Sequence, residues 1–293
     1  MEKIHNFIKK VVVDQQYFDY FKRMKQLKIK HITVDHTAAK NKTQDAPLVF
    51  IHGAAGTSEI YKNYMEYFSN EGWDCYSVNL SGRKSSIDKK DLVSLTIEDY
   101  ADDISVLTEE LNLKNPVLIG HSMGGVVAQK SAEILGDISA LVLLNSGPIN
   151  GVRMQLRGGL KTFRMAMRSI KATMKKQPIV PSYKIAKETV LNNIPDDQKK
   201  EVFAYLVPES TAATNQVGRS MVKVDSNKIT CPKLVVSCNQ DAMVKPDMQK
   251  KISNYYNAEL KTYNNYAHLP MLEPNWDILA TDLHKWLSNK VRK

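Results

Sequence analysis

An apolar run, Pro116-Val117-Leu118-Ile119, opens directly into Gly120-His121-Ser122-Met123-Gly124 and then into a stretch of helical pattern; nothing else in the chain restricts its architecture as tightly. A Gly-x-Ser-x-Gly segment between a strand and a helix places its serine on a sharp turn at the end of a sheet, with the hydroxyl exposed. Gly120 and Gly124 remove side chains that would collide where strand and helix close on that turn. A serine hydroxyl is a weak nucleophile unless a base lies beside it and backbone N–H groups await the developing oxyanion. The motif therefore demands partners from elsewhere in the chain, and a layered fold to bring them together.

The rest of the sequence supplies such a fold. Apolar residues at helical spacing in 4–26 predict a leading helix, and 28–35 a first strand. Strand patterns follow at 47–52, 74–79, 116–120, 140–145, 233–238 and 259–263, and helical patterns at 58–70, 96–111, 123–135, 247–256 and 275–289. This alternation predicts an α/β class protein with a doubly wound, mostly parallel sheet and helices on both faces. Between Pro148 and about Lys228 the alternation stops. We therefore expect a core of 1–147 and 229–293, including an N-terminal helix within 1–27, and a helical insertion at 148–228 that lies over the site as a lid.

Composition narrows the function classes. No apolar run approaches the roughly 18–20 residues of a membrane span, and the first ten residues lack the apolar region and cleavage site of a signal peptide. A cytoplasmic protein is expected, with peripheral membrane association left open. Cys75, Cys231 and Cys238 show neither C-x-x-C nor zinc spacing, so neither a disulfide framework nor a metal is expected. The net charge of +10 is concentrated: 150–177 holds eight Lys or Arg and no acid, and 1–30 holds eight bases against three acids. Neither segment matches a nucleic-acid-binding signature, so nucleic acid is not an expected partner.

Two loops carry the candidate partners of Ser122. Asp241 follows the β-branched strand that ends Val235-Val236-Ser237-Cys238 and precedes a helix, and His268 stands in Tyr266-Ala267-His268-Leu269-Pro270, between the last strand and the last helix. An Asp in such a loop also commonly caps a helix or a turn. A near-neutral imidazole can accept and return a proton within one cycle. His52-Gly53-Ala54-Ala55-Gly56 follows a buried strand; it has neither phosphate-loop pattern, G-x-x-x-x-G-K-[ST] or G-x-G-x-x-G.

Together these motifs resemble the α/β-hydrolase fold family, in its carboxylesterase and monoacylglycerol-lipase-like branch with a helical lid, over most of the chain. The resemblance implies a triad in the order Ser122, Asp241, His268, with oxyanion donors from the backbone N–H groups of Ala54 and Met123. It departs at Cys238 and Ala267, where relatives usually carry Gly, and at Asn79 and Ser81, where they carry Asp and Arg; Asn79–Ser85 is read as scaffold. A serine rather than an aspartate at the turn implies an acyl-serine intermediate and a substrate that is an ester, thioester or activated amide, with no cofactor. His52, Gly53 and His121, beside these motifs, and Arg157, Phe163, Arg164 and Met167 of the insertion are candidate substrate contacts.

Within the insertion Val152, Leu156, Leu160, Phe163, Met167, Ile170 and Met174 keep to one helical face, and Arg153, Arg157, Lys161, Arg164, Arg168, Lys171 and Lys175 follow one position behind. This predicts a cationic amphipathic helix or pair over 152–175, broken at Gly158-Gly159. One reading is a lid whose apolar face covers the cleft while its bases are solvated. The other is attraction to an anionic membrane surface or an acidic acyl carrier protein. Three functions remain open at this point: a serine esterase or lipase for apolar acyl esters, a thioesterase or acyl hydrolase or transferase for an anionic or carrier-bound acyl group, and a non-catalytic binding module on the same fold. Cofactor-free peroxidase activity, also found among similar proteins, is not distinguished.

Overall fold

The computed structural model describes residues 23–83 and 89–291. Its eight strands are β1 (Met24–Ile29), β2 (Ile32–Thr37), β3 (Leu48–Ile51), β4 (Cys75–Asn79), β5 (Val117–His121), β6 (Ala140–Leu144), β7 (Lys233–Cys238) and β8 (Glu259–Tyr263). They form one sheet in the order β1-β2-β4-β3-β5-β6-β7-β8, antiparallel at β1/β2 and β2/β4 and parallel throughout the rest. Every residue of β3, β5 and β6 is buried, as strands covered on both faces must be. Neighbouring residues of one strand enter opposite layers: Leu48 and Phe50 join Tyr61, Tyr64, Phe68 and Trp286, whereas Val49 and Ile51 join Tyr100, Ile104, Val126 and Met248.

The helices that supply those layers are α1 (Lys62–Asn70), α2 (Lys89–Ser94), α3 (Ile97–Glu110) and α4 (Met123–Leu135) before the insertion. Within it lie α5 (Leu160–Met174), α6 (Tyr183–Ala186), α7 (Lys199–Phe203) and α8 (Thr211–Gly218), and after it α9 (Pro246–Tyr256) and α10 (Trp276–Lys290). Helix α3 starts where its sequence says it should, because Thr96 and Asp99 form a reciprocal capping box. From β3 the chain moves to β4 on one side and then to β5 on the other, so strand order reverses between β3 and β5. The crevice beyond the carboxyl ends of these two strands is where such sheets hold their ligands. Among the described residues no helix is long and apolar enough to cross a membrane.

Two expectations are corrected here. Most of the predicted N-terminal helix lies outside the described residues, but Met24–Ile29 is a strand, and the single strand expected at 28–35 is a hairpin whose turn at Lys30 takes φ +50°. Apolar Leu27, Ile29, Ile32 and Val34 alternate on either side of that turn, a pattern that an upstream helical reading absorbs. The amphipathic helix predicted from Val152 begins only after Gly159: Leu156 bridges to Val244, and the Arg157 N–H donates to the Met243 carbonyl at 2.9 Å. Its spacing is right from Leu160 onward, but its orientation is not. The residues turned toward the body and α8 include Thr162, Met165, Ala166, Ser169 and Ala172, while Leu160, Phe163, Met167, Ile170 and Met174 face outward.

Candidate active site

Ser122 stands at the end of β5 with φ 52° and ψ −119°, a conformation few non-glycine residues adopt. The surroundings hold it there. Its N–H donates to the Leu144 carbonyl at 3.0 Å, and its own carbonyl accepts from the N–H groups of Gly125 and Gly147 at 3.0 and 2.8 Å. Gly124 has no room for a side chain, since a Cβ there would lie 2.3 Å from the carbonyl oxygens of both Ile51 and His52. Strand β3 thus packs against the first turn of α4 closely enough to bring its outgoing loop beside the serine. A Cβ on Gly53 would meet Ser122 Cβ at 3.0 Å.

His268 Nδ1–H donates to Asp241 Oδ2 at 2.8 Å, and both side chains are buried. Because a carboxylate only accepts, this bond leaves the other ring nitrogen, Nε2, as a lone-pair acceptor. The other Asp241 oxygen accepts from the N–H groups of Met243 and Val244 at 2.6 and 3.1 Å, so one residue serves both as turn cap and as partner of the imidazole. His121, next to Ser122, joins His268 to the turn: its Nε2–H donates to the His268 carbonyl at 2.6 Å, and the two rings pack edge-on with centroids 4.8 Å apart. The Ser122 hydroxyl hydrogen-bonds no described residue.

Sequence reasoning missed the residues that fix these loops. Glu273, buried, accepts from the N–H groups on both sides of His268, Ala267 at 2.6 Å and Leu269 at 2.9 Å, and from Asn193 Nδ2 at 2.7 Å. Asn145, just past β6, donates to the Ala267 carbonyl at 2.7 Å and accepts from the Cys238 N–H at 2.8 Å, tying the loop of the histidine to the strand of the aspartate. A polar residue directly after a buried apolar strand is the one signal that could have pointed to Asn145.

Behind Ala54 lies a third arrangement. Arg83, expected to be scaffold, is fully buried and pairs with Glu209 of the insertion; it also donates to Tyr100 at 2.9 Å and to the Ser81 carbonyl at 3.1 Å. Burial alone would weaken its charge, but Glu209 and Tyr100 outweigh burial and hold the guanidinium protonated. Glu209 Oε2 accepts from the Ala55 N–H at 2.7 Å, and the Val207 N–H donates to the Ala55 carbonyl at 2.8 Å. Ala55, at φ +59°, is therefore gripped at both backbone groups by the insertion. Among the described residues no acceptor takes the backbone N–H of Ala54 or of Met123.

The expected substrate contacts divide. Gly53 lies against the serine, but His52 and His121 are buried, neutral imidazoles, each held down to about 3 first by burial and then by a neighbouring positive group, Arg83 for His52 and His268 for His121. His52 donates from Nδ1 to the Gly53 carbonyl at 2.9 Å and accepts from the Leu80 N–H, which makes it a support of the loop rather than a substrate contact. Arg157 is exposed and donates to the Asn239 carbonyl at 2.5 Å. Phe163, Arg164 and Met167 line an open groove with Lys184 and Ile185 that includes none of Ser122, Asp241 and His268. The cause is the outward rotation of α5.

The electrostatics set a pH expectation. Burial lowers the basicity of His268, but the Asp241 charge and hydrogen bond outweigh it and hold the imidazole above 6.5. In the role of general base proposed below, His268 must be neutral, so kcat/KM is expected to rise with pH through a limb above 6.5, and Asp241→Asn is expected to move that limb to lower pH while cutting the plateau about 10³–10⁴-fold. A pH–rate profile of both proteins checks this.

Comparison with known proteins agrees with the architecture. Residues 46–274 match the family model described as alpha/beta hydrolase fold. Protein ABHD8 of Bos taurus is 28% identical over 112 residues, 38% of this chain, and the match spans only 26% of that relative's length. The non-heme chloroperoxidase of Burkholderia pyrrocinia is 26% identical over 258 residues, 81% of this chain and 90% of that protein. A thermophilic esterase from Thermogutta terrifontis superposes with a TM-score of 0.68 at 18% identity, covering 92% of this chain and all (100%) of that one. With the sheet order, the serine turn and a family match over most of its length, the chain belongs to the alpha/beta hydrolase fold family.

Proposed function

We propose that the protein is a serine hydrolase that cleaves carboxylic acyl esters through an acyl-serine intermediate. The observation that carries this reading is the pairing of His268 with Asp241 at 2.8 Å, on a loop fastened by His121 to the strained turn of Ser122. The Ser122 oxygen attacks the ester carbonyl while His268 Nε2 takes its proton. The oxyanion is received by the N–H groups of Ala54 and of Met123, the first residue of α4, where the helix dipole adds to the hydrogen bond. Collapse expels the alkoxide, protonated by the imidazolium, and leaves the acyl-serine. Water, deprotonated by His268, then attacks the acyl carbon; collapse of this second intermediate breaks the bond to the Ser122 oxygen, which takes the proton back from the imidazolium, and the acid is released. Asp241 holds the ring in the required tautomer and stabilises the imidazolium.

A fluorophosphonate probe tests the assignment directly. It should label the folded protein once, and mass mapping should place the adduct on Ser122, with turnover of p-nitrophenyl acyl esters lost in step. Labelling at another residue, or turnover that survives complete labelling, contradicts the reading.

A further inference from the structure

From the outward face of α5 we infer a docking surface for an anionic lipid membrane. Five large apolar side chains that a helix would ordinarily turn inward are open to water: Leu160 is 62% exposed, Phe163 61%, Met167 47%, Ile170 52% and Met174 81%. Val180, whose carbonyl accepts from Arg168 at 3.1 Å, extends the patch at 56% exposure. Scattered exposed apolar residues are ordinary, but a contiguous stripe along one helix marks an interaction surface.

The charge beside the stripe selects the occupant. Arg164, Arg168, Lys171 and Lys175 are exposed on the adjoining face, none has a carboxylate partner among the described residues, and the sequence from Leu160 to Gln177 contains no Asp or Glu. A helix that only needed solubility would mix both signs of charge. A helix lying in a bilayer interface has the arrangement seen here: an apolar stripe sunk among the acyl chains, with Lys and Arg flanking it at the level of anionic headgroups. The side left over for the protein is already occupied by Thr162, Met165, Ala166, Ser169 and Ala172, so docking needs no rearrangement of the core.

Attachment of α5 to the site gives docking a consequence. The segment that leads into it is held to the loop of Asp241 by the Leu156–Val244 bridge, by the Arg157 N–H to the Met243 carbonyl, and by the Arg157 side chain to the Asn239 carbonyl. A docked α5 thus stations the triad at the lipid surface. That consequence rests on the acyl-ester reading, whereas the docking itself does not.

The full chain is tested by co-sedimentation with vesicles of pure phosphatidylcholine and of equal parts phosphatidylcholine and phosphatidylglycerol, beside hydrolysis of a short water-soluble ester. Binding to the mixed vesicles should exceed binding to phosphatidylcholine by about 10-fold or more and fall as salt rises. The variant Arg168→Gln/Lys171→Gln/Lys175→Gln should lose on the order of 100-fold in partitioning at low salt, about 5-fold per charge. Ile170→Ser/Met174→Ser should lose about 10-fold or more. Both variants should keep the unfolding midpoint and the turnover of the soluble ester, so that a failure of docking is distinguishable from a failure of the ester reading. The proposal is overturned if either variant binds the mixed vesicles like the parent, if the parent binds both compositions equally or neither, or if the parent is a lipid-independent dimer that Ile170→Ser/Met174→Ser dissociates. It is also overturned if the face takes an acidic acyl carrier protein and not the vesicles.

Discussion

Ser122→Ala is expected to lower ester turnover by about 10⁴-fold or more while leaving the unfolding midpoint nearly unchanged. The two halves of that expectation have separate causes. The hydroxyl hydrogen-bonds no described residue, so its removal breaks no contact, and alanine bears the same φ of 52° that the surrounding hydrogen bonds already impose on serine. The chemistry, in contrast, has no substitute nucleophile at the turn, because the neighbouring imidazole of His121 is buried and commits Nε2–H to the His268 carbonyl. Steady-state kinetics on a p-nitrophenyl ester, with thermal unfolding of the same preparation, check both halves. A variant that folds and retains activity would exclude the acyl-serine route.

Glu209→Ala should cost about 3–5 kcal/mol of stability, because it leaves the fully buried Arg83 guanidinium without its counter-charge. It also removes the acceptor for the N–H groups of Ala55 and Ser210 and for the Tyr100 hydroxyl. Looser anchorage of Ala55 frees the neighbouring Ala54 N–H to wander from the position proposed for it beside the oxyanion, and losing one such donor costs about 10²-fold in kcat. The double variant Arg83→Met/Glu209→Leu separates the effects. Replacing both partners with apolar groups of similar size should restore the part of the stability that the unpaired guanidinium cost, but not the part due to the donors of Ala55, Ser210 and Tyr100. The kcat should stay low with KM little changed, because the Ala55 N–H has then lost its acceptor and only the Val207 N–H still holds the residue. Urea unfolding and initial rates measure the two quantities, and a double variant with parental kcat would reduce the cluster to a packing element.

The order in which residues announced themselves follows the range over which each signal acts. Ser122, Asp241 and His268 stood out as candidates because each lies in the loop that leaves a parallel strand, one residue past β5, three past β7 and five past β8, and a parallel sheet gathers the ends of its strands on one edge. Arg83 and Glu209 were not, because their meeting depends on how a 126-residue separation folds back, and neither stands in a periodic pattern. In α5 the 3.6-residue period located the stripe correctly, but period alone does not say which side packs. Thr162, Ala166, Ser169 and Ala172 decide that, since small side chains let the helix approach α8. The β1–β2 hairpin was lost to the same ambiguity, with Met24 fitting a helical spacing upstream and a strand alternation downstream.

Asn145 gives the site a property that none of its three principal residues has alone. One amide grips the strand that leads to Asp241 and the loop that carries His268, so a displacement of either is passed to the other through about one side chain's length of matter. Insertions that lengthen one of these loops must then preserve the other's anchorage, and the two segments are bound to diversify as a single unit or not at all.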